Sequence, residues 1–130
     1  MPGTESLIPH EWYQKAEEDL LAAQALWQNA PQLQASIIFH LQQAVEKYLK
    51  GFLLSRGWTL QRIHDLVRLL GDVIAYEPAF VQFDTLCDEL TSHYFQSRYP
   101  LTPLFQITEQ ELQQLFVKVE ELIVEIKQRT

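Results

Sequence analysis

The spacing of the apolar residues constrains this chain more than any other feature. Trp12, Ala16, Leu20, Ala23 and Trp27 recur at steps of four, four, three and four, which lines one face of a helix turning every 3.6 residues. The stripe predicts a first helix from about Pro9 to Asn29. Pro9 suits a first turn, where its missing N–H costs nothing. Glu11, Glu17, Glu18 and Asp19 fall in the half that the helix dipole favours. Pro31 then restarts the chain as a second helix, with Asn29 as a cap, running to about Arg56 and stopping at Gly57. Ile38, Leu41, Val45, Leu49 and Phe52 form its core face. Ile37, Ala44, Tyr48 and Leu53 widen that face, so neighbours are expected on more than one side. Gly51 inside this helix costs propensity and points to a close helix crossing.

The same period continues after a loop at residues 57–62. A short third helix is predicted from about Ile63 to Tyr76, then a turn at Tyr76-Glu77-Pro78. A fourth follows with Phe80, Phe83, Cys87, Leu90 and Tyr94 on one face. It ends near Arg98, because Pro100 disfavours helix at Tyr99. Residues 99–107 hold two prolines and form the longest connection. Thr108-Glu109-Gln110-Glu111 reads as a capping box, opening a last helix on Leu112, Leu115, Val119, Leu122 and Ile126. No stretch alternates as a strand would, and no hairpin dipeptide occurs. The expectation is an all-α fold, a five-helix up-and-down antiparallel bundle. It is read as one domain over residues 1–130 with its core at about 9–128.

Composition narrows the function classes. No apolar run approaches the roughly 20 residues of a membrane span, and the opening MPGTESLIPHEW does not read as a secretory signal. Cys87 is the single cysteine, which leaves no intrachain disulfide and no Cys-rich zinc site, and fits a reducing, cytoplasmic setting. The net charge of −7 opposes tight, non-specific binding of long nucleic acid. The charge is uneven, however. Glu46 is the one acid in residues 31–56, against Lys47, Lys50 and Arg56. A local basic stripe on an acidic protein favours a small, defined anionic target or an acidic partner surface.

Two segments carry a resemblance. One is Phe39-His40-Leu41-Gln42-Gln43-Ala44-Val45-Glu46-Lys47-Tyr48-Leu49-Lys50-Gly51-Phe52-Leu53-Leu54; the other is Tyr94-Phe95-Gln96-Ser97-Arg98-Tyr99-Pro100, with His64-Asp65-Leu66 between them. Their order, with the opening Trp12-Tyr13 and Lys15-Ala16-Glu17-Glu18-Asp19-Leu20, resembles the HEPN family over about residues 10 to 127. The resemblance implies a helical bundle, commonly a homodimer. Many members sit beside a minimal nucleotidyltransferase as halves of a toxin–antitoxin pair, and many are metal-independent RNases without a cofactor. Those RNases carry an arginine followed four to six residues later by a histidine. Here Tyr99, Pro100, Leu101, Thr102, Pro103 and Leu104 follow Arg98, and none is histidine.

Candidate site residues follow from chemistry. Arg98, where a helix breaks at proline, offers a planar fork to phosphate, and Tyr94 and Tyr99 are placed to stack a base; the alternative is an arginine holding the helix carbonyls. His93 is a candidate acid–base group for Arg98, although the two lie about 140° apart around one helix, so a two-fold dimer would have to join them; the alternative is a surface histidine. His64 and Asp65 open the third helix, as capping residues or as part of a cleft. His40, Gln43, Lys47 and Lys50 form a polar stripe to track phosphates, or else a solvated face with a Glu46–Lys50 pair. No metal-ligand spacing and no nucleophile motif occurs, and Cys87 reads as core. Two functions stand: a HEPN-type nucleotide- or nucleic-acid-binding module paired with a nucleotidyltransferase, or a metal-independent endoribonuclease. A helical adaptor presenting Trp12, Trp27 and Trp58 is a third.

Overall fold

The computed structural model describes residues 4–100 and 103–130. Leu101 and Thr102 of the proline-bearing connection, and residues 1–3 of the opening segment, lie outside them. The helices are α1 (Pro9–Asn29), α2 (Gln34–Ser55), α3 (Leu66–Tyr76), α4 (Asp84–Ser97) and α5 (Glu109–Gln128), with a 3-10 helix at Pro78–Phe83 leading into α4. No strand occurs among the described residues. None of their helices is long and apolar enough to cross a membrane.

Helix α2 is the centre of the bundle. Thirteen of its 22 residues are buried, so it is packed on most of its circumference. It runs antiparallel to α1. Trp12 lies over Lys50 near one end, and Asp19 meets His40 toward the other. Two devices let the helices approach. Ala16 and Ala23 place small side chains in the seam. At Gly51 an added Cβ would stand 2.5 Å from Tyr13 Cε1 and 3.2 Å from Trp12 Cβ, which is the close crossing expected of a glycine inside a helix. On the other side Phe52 packs on Phe80, ring centroids 5.1 Å apart.

Helix α5 runs parallel to α2 and is tied to it at both ends. The Gln34 side-chain amide pairs with the Ile107 backbone in both directions: Nε2 donates to the carbonyl at 2.8 Å, and Oε1 accepts the N–H at 3.1 Å. At the far end Arg56 Nη2 donates to the Arg129 carbonyl at 2.8 Å. The capping box is formed, with Glu111 N–H on Thr108 Oγ1 at 3.0 Å and Thr108 N–H on Glu111 Oε1 at 3.2 Å. The hydrogen bonds to the Thr108 backbone and side chain hold the Glu111 carboxyl below its usual range.

Three boundaries differ from the sequence expectation. Asn29 does not cap α2; it stays in the last turn of α1, where Nδ2 donates to the Ala25 carbonyl at 2.9 Å. Helix α2 begins at Gln34, after a turn closed by Leu33 N–H on the Ala30 carbonyl. Helix α3 begins at Leu66 rather than Ile63, because Asp65 Oδ1 accepts Val67 N–H at 3.0 Å and fixes the N-cap there. His64 therefore lies in the loop and caps nothing. Pro78 opens a 3-10 turn, so the fourth helix proper starts at Asp84.

Candidate functional site

Two clefts flank α2. The larger, about 1130 Å³, lies along α1 and is lined by Trp12, Glu46, Lys47, Lys50, His64 and Lys127 among others. It holds the lysines expected to form a solvated or phosphate-tracking stripe, and both expectations fail for Lys50. Helix α1 covers that stripe. Lys50 is 2% exposed, with Nζ 3.1 Å from Glu46 Oε2 and 5.6 Å from the centroid of the Trp12 ring. The i,i+4 pair exists, but it is buried. Glu46 is buried too, and its Oε1 has no hydrogen-bond partner. His64 reaches the same carboxylate, Nδ1 to Oε2 at 3.0 Å, with its ring 76% exposed.

Lys47 is also engaged, with Nζ 2.5 Å from Asp19 Oδ2. Tyr48 donates to Glu17 Oε2 at 2.9 Å. Burial, and then Glu17, raise the Tyr48 hydroxyl above its ordinary pKa. Glu5, Glu11 and Glu18 line the same groove. With Lys47 and Lys50 matched to carboxylates and further acids along the wall, the groove is a poor phosphate site.

The smaller pocket, about 310 Å³, lies where the start of α2 meets the end of α4. Ser36, Phe39, His40, Tyr94, Ser97 and Arg98 line it. Arg98 has its guanidinium carbon 5.1 Å from the centroid of the Tyr94 ring and donates from Nη1 to the Tyr94 hydroxyl at 2.7 Å. Tyr94 and Phe39 sit side by side, centroids 6.3 Å apart. His40 stands edge-on to Phe39, and its Nδ1 lies 3.0 Å from Asp19 Oδ1. A cation, an oriented imidazole and two aromatic faces thus share one recess. Such a set has the chemistry to pair with a phosphate and to stack on a base.

The residues singled out from the sequence therefore fall into separate places. Arg98 and Tyr94 share the small pocket. Lys47, Lys50 and His64 line the large groove. Tyr99 is exposed and lines neither cleft. His93 is no free surface histidine. Its ring stands edge-on to Phe105 at 5.6 Å, and its buried Nδ1 has no partner. It does not line the Arg98 pocket. Of the three tryptophans in the adaptor reading, Trp58 is buried, while the half-buried Trp27 stacks on Phe116 at 4.4 Å and the half-buried Trp12 donates to the Ser6 carbonyl at 2.7 Å. Cys87 is core as expected; burial, and then Asp84 and Asp88, push its thiol up to about 12, far from the thiolate a nucleophile needs. Among the described residues, no three His, Cys, Asp or Glu side chains gather to hold a metal ion.

His40 and Asp19 are the site residues that sequence reasoning missed as a pair. Their signal was the antiparallel pairing of α1 with α2, in which a step forward along one helix matches a step back along the other.

Residues 9–129 match the family model described as HEPN domain. No curated protein and no solved structure matches the chain. The family match covers nearly the whole chain, agrees with its all-α architecture, and carries a nucleotide- or RNA-related function in general terms. The chain belongs to the HEPN domain family.

Proposed function

We propose that this HEPN domain binds a nucleotide or single-stranded nucleic acid at the pocket between α2 and α4, as one member of a toxin–antitoxin-like pair with a minimal nucleotidyltransferase. In this reading the protein works as a homodimer. The observation that carries the binding reading is the shared recess of Arg98, His40, Tyr94 and Phe39. Arg98 spends one N–H on Tyr94 and keeps others for phosphate oxygens. The −7 net charge limits affinity for long polyanions, which favours a short, locally held ligand. Exposed Phe39, Phe95 and Tyr99 give this end of the bundle an apolar rim suited to a second copy.

Fluorescence anisotropy with a short labelled single-stranded RNA tests it. Arg98→Ala is expected to weaken binding about tenfold or more, the scale of a lost charge-assisted hydrogen bond. Lys127→Ala, in the large groove, is expected to leave affinity within about twofold. RNA that fails to bind the wild type, or binds Arg98→Ala equally well, sinks the reading.

The endoribonuclease reading is favoured by one specific feature, the carboxylate behind His40.

A further inference from the structure

We propose that the large groove along α1 binds a linear aliphatic polyamine, with its ammonium groups on Glu46, Glu17 and Glu11 and its methylene spacers on Trp12, Tyr13 and Tyr48. The groove shares no lining residue with the Arg98 pocket, and the proposal does not depend on the reading given to that pocket.

The first observation is an unsatisfied oxygen. Glu46 lines the groove and is 4% exposed, yet its Oε1 has no hydrogen-bond partner. Lys50 Nζ and His64 Nδ1 both meet the other oxygen, Oε2, at 3.1 and 3.0 Å. A buried carboxylate oxygen left without a donor is costly, and a positively charged donor suits it best. Lys50 shows what this corner accepts, an ammonium set between a carboxylate and the Trp12 ring. His64 is the exposed member of the cluster. Rotation of its ring away from Glu46 frees a second position on the carboxylate.

The second observation is the charge along the wall. Lys15 meets Glu18, and Lys47 meets Asp19. Glu5, Glu11 and Glu17 have no lysine or arginine partner among the described residues, and Lys127 is the one lysine of the wall left over. The groove therefore keeps an excess of carboxylate. The ligand class follows from how these groups are spread. Glu11 and Glu17 lie six residues apart on α1, about 9 Å along its axis, so a single ammonium serves only one of them. Among the described residues no three His, Cys, Asp or Glu side chains converge as a compact metal ion requires. Trp12, Tyr13 and Tyr48 line the same groove, the two tyrosine rings stacked at 5.9 Å. Aromatic faces set among separated carboxylates match a chain of ammoniums joined by methylenes. The groove, about 1130 Å³, has room for such a chain laid out at length.

The test is isothermal titration calorimetry of the full chain with spermidine, at about 0.15 M salt, with magnesium chloride as competitor. Saturable binding that magnesium does not displace is expected. Glu46→Gln keeps an acceptor but removes the charge, and should weaken binding about tenfold or more. Glu11→Gln and Glu17→Gln combined in one chain should weaken it about tenfold. Circular dichroism checks folding; if Glu46→Gln does not fold, the pair on the wall decides. Glu120→Gln, on α5 and outside the groove, should stay within about twofold. Spermidine that fails to bind the wild type overturns the proposal. So does displacement by magnesium, or an equal loss in Glu120→Gln, since either marks a diffuse counterion. Binding of a lysine-rich peptide where spermidine does not bind overturns the small-ligand assignment.

Discussion

Helix α2 carries two clusters of the same composition, each one carboxylate, one lysine and one histidine. Glu46 holds Lys50 and His64; Asp19 holds Lys47 and His40. They differ in which member faces water. In the first, the ion pair is sealed, Lys50 at 2% under the Trp12 ring, and the histidine is outside. In the second, Lys47 keeps 26% of its side-chain surface, and the histidine sits in a pocket beside Arg98. Identical groups thus do different work. The sealed pair joins α2 to the loop ahead of α3, with help from Gln42 Nε2 on the His64 carbonyl at 3.3 Å. The half-open pair orients an imidazole. Composition alone does not separate them; the depth at which α1 lies over α2 does.

The largest effect that sharpens this contrast is expected from removing the carboxylates one at a time. Glu46→Ala strands a buried ammonium and should cost about 3–5 kcal/mol in urea unfolding. Asp19→Ala frees a lysine that already reaches water and should cost about 1 kcal/mol or less. Equal losses would erase the distinction between the clusters. A middle-sized effect is expected at the lid of the sealed pair. Gly51→Ala puts a methyl against Tyr13 and Trp12 and should cost about 1–3 kcal/mol by overpacking. Gly71→Ala, in α3 with nothing within 4 Å of its Cβ, should instead stabilise by up to about 1 kcal/mol. A stabilised Gly51→Ala would mean that α1 is not pressed on α2. The smallest is expected at Asp65→Ala, which removes the α3 cap beside His64 and should cost about 1 kcal/mol by thermal denaturation. A much larger loss would show that the cap and the Glu46 cluster act as one unit.

Much of the fold was legible because helical period and local capping chemistry are written in neighbouring residues. The stripe from Trp12 to Trp27, the Thr108–Glu111 box and the close crossing at Gly51 all came through. The start of α3 did not, since Ile63 continues the apolar spacing while Asp65 stops the helix short of it. The site was legible only in part. Arg98 and Tyr94 are four apart and meet as helix geometry requires. Asp19 and His40 are 21 apart and meet because two helices pair. Lys50 looked solvated because a lysine on a helix usually is. Nothing near it in the chain says that Trp12 will cover it.

The two clamps between α2 and α5 set a rule for chain length. Gln34 meets Ile107 and Arg56 meets Arg129, each pair 73 residues apart. The stretch from 34 to 56 and the stretch from 107 to 129 are therefore rungs of one ladder. A residue inserted in either stretch would shift one clamp by about 1.5 Å and turn its side chain through about 100°, unless the other stretch gained one too. Tolerance for insertions is thus confined to the connections outside the ladder. Relatives that keep both clamps should carry these two helices at equal length, however much their loops differ.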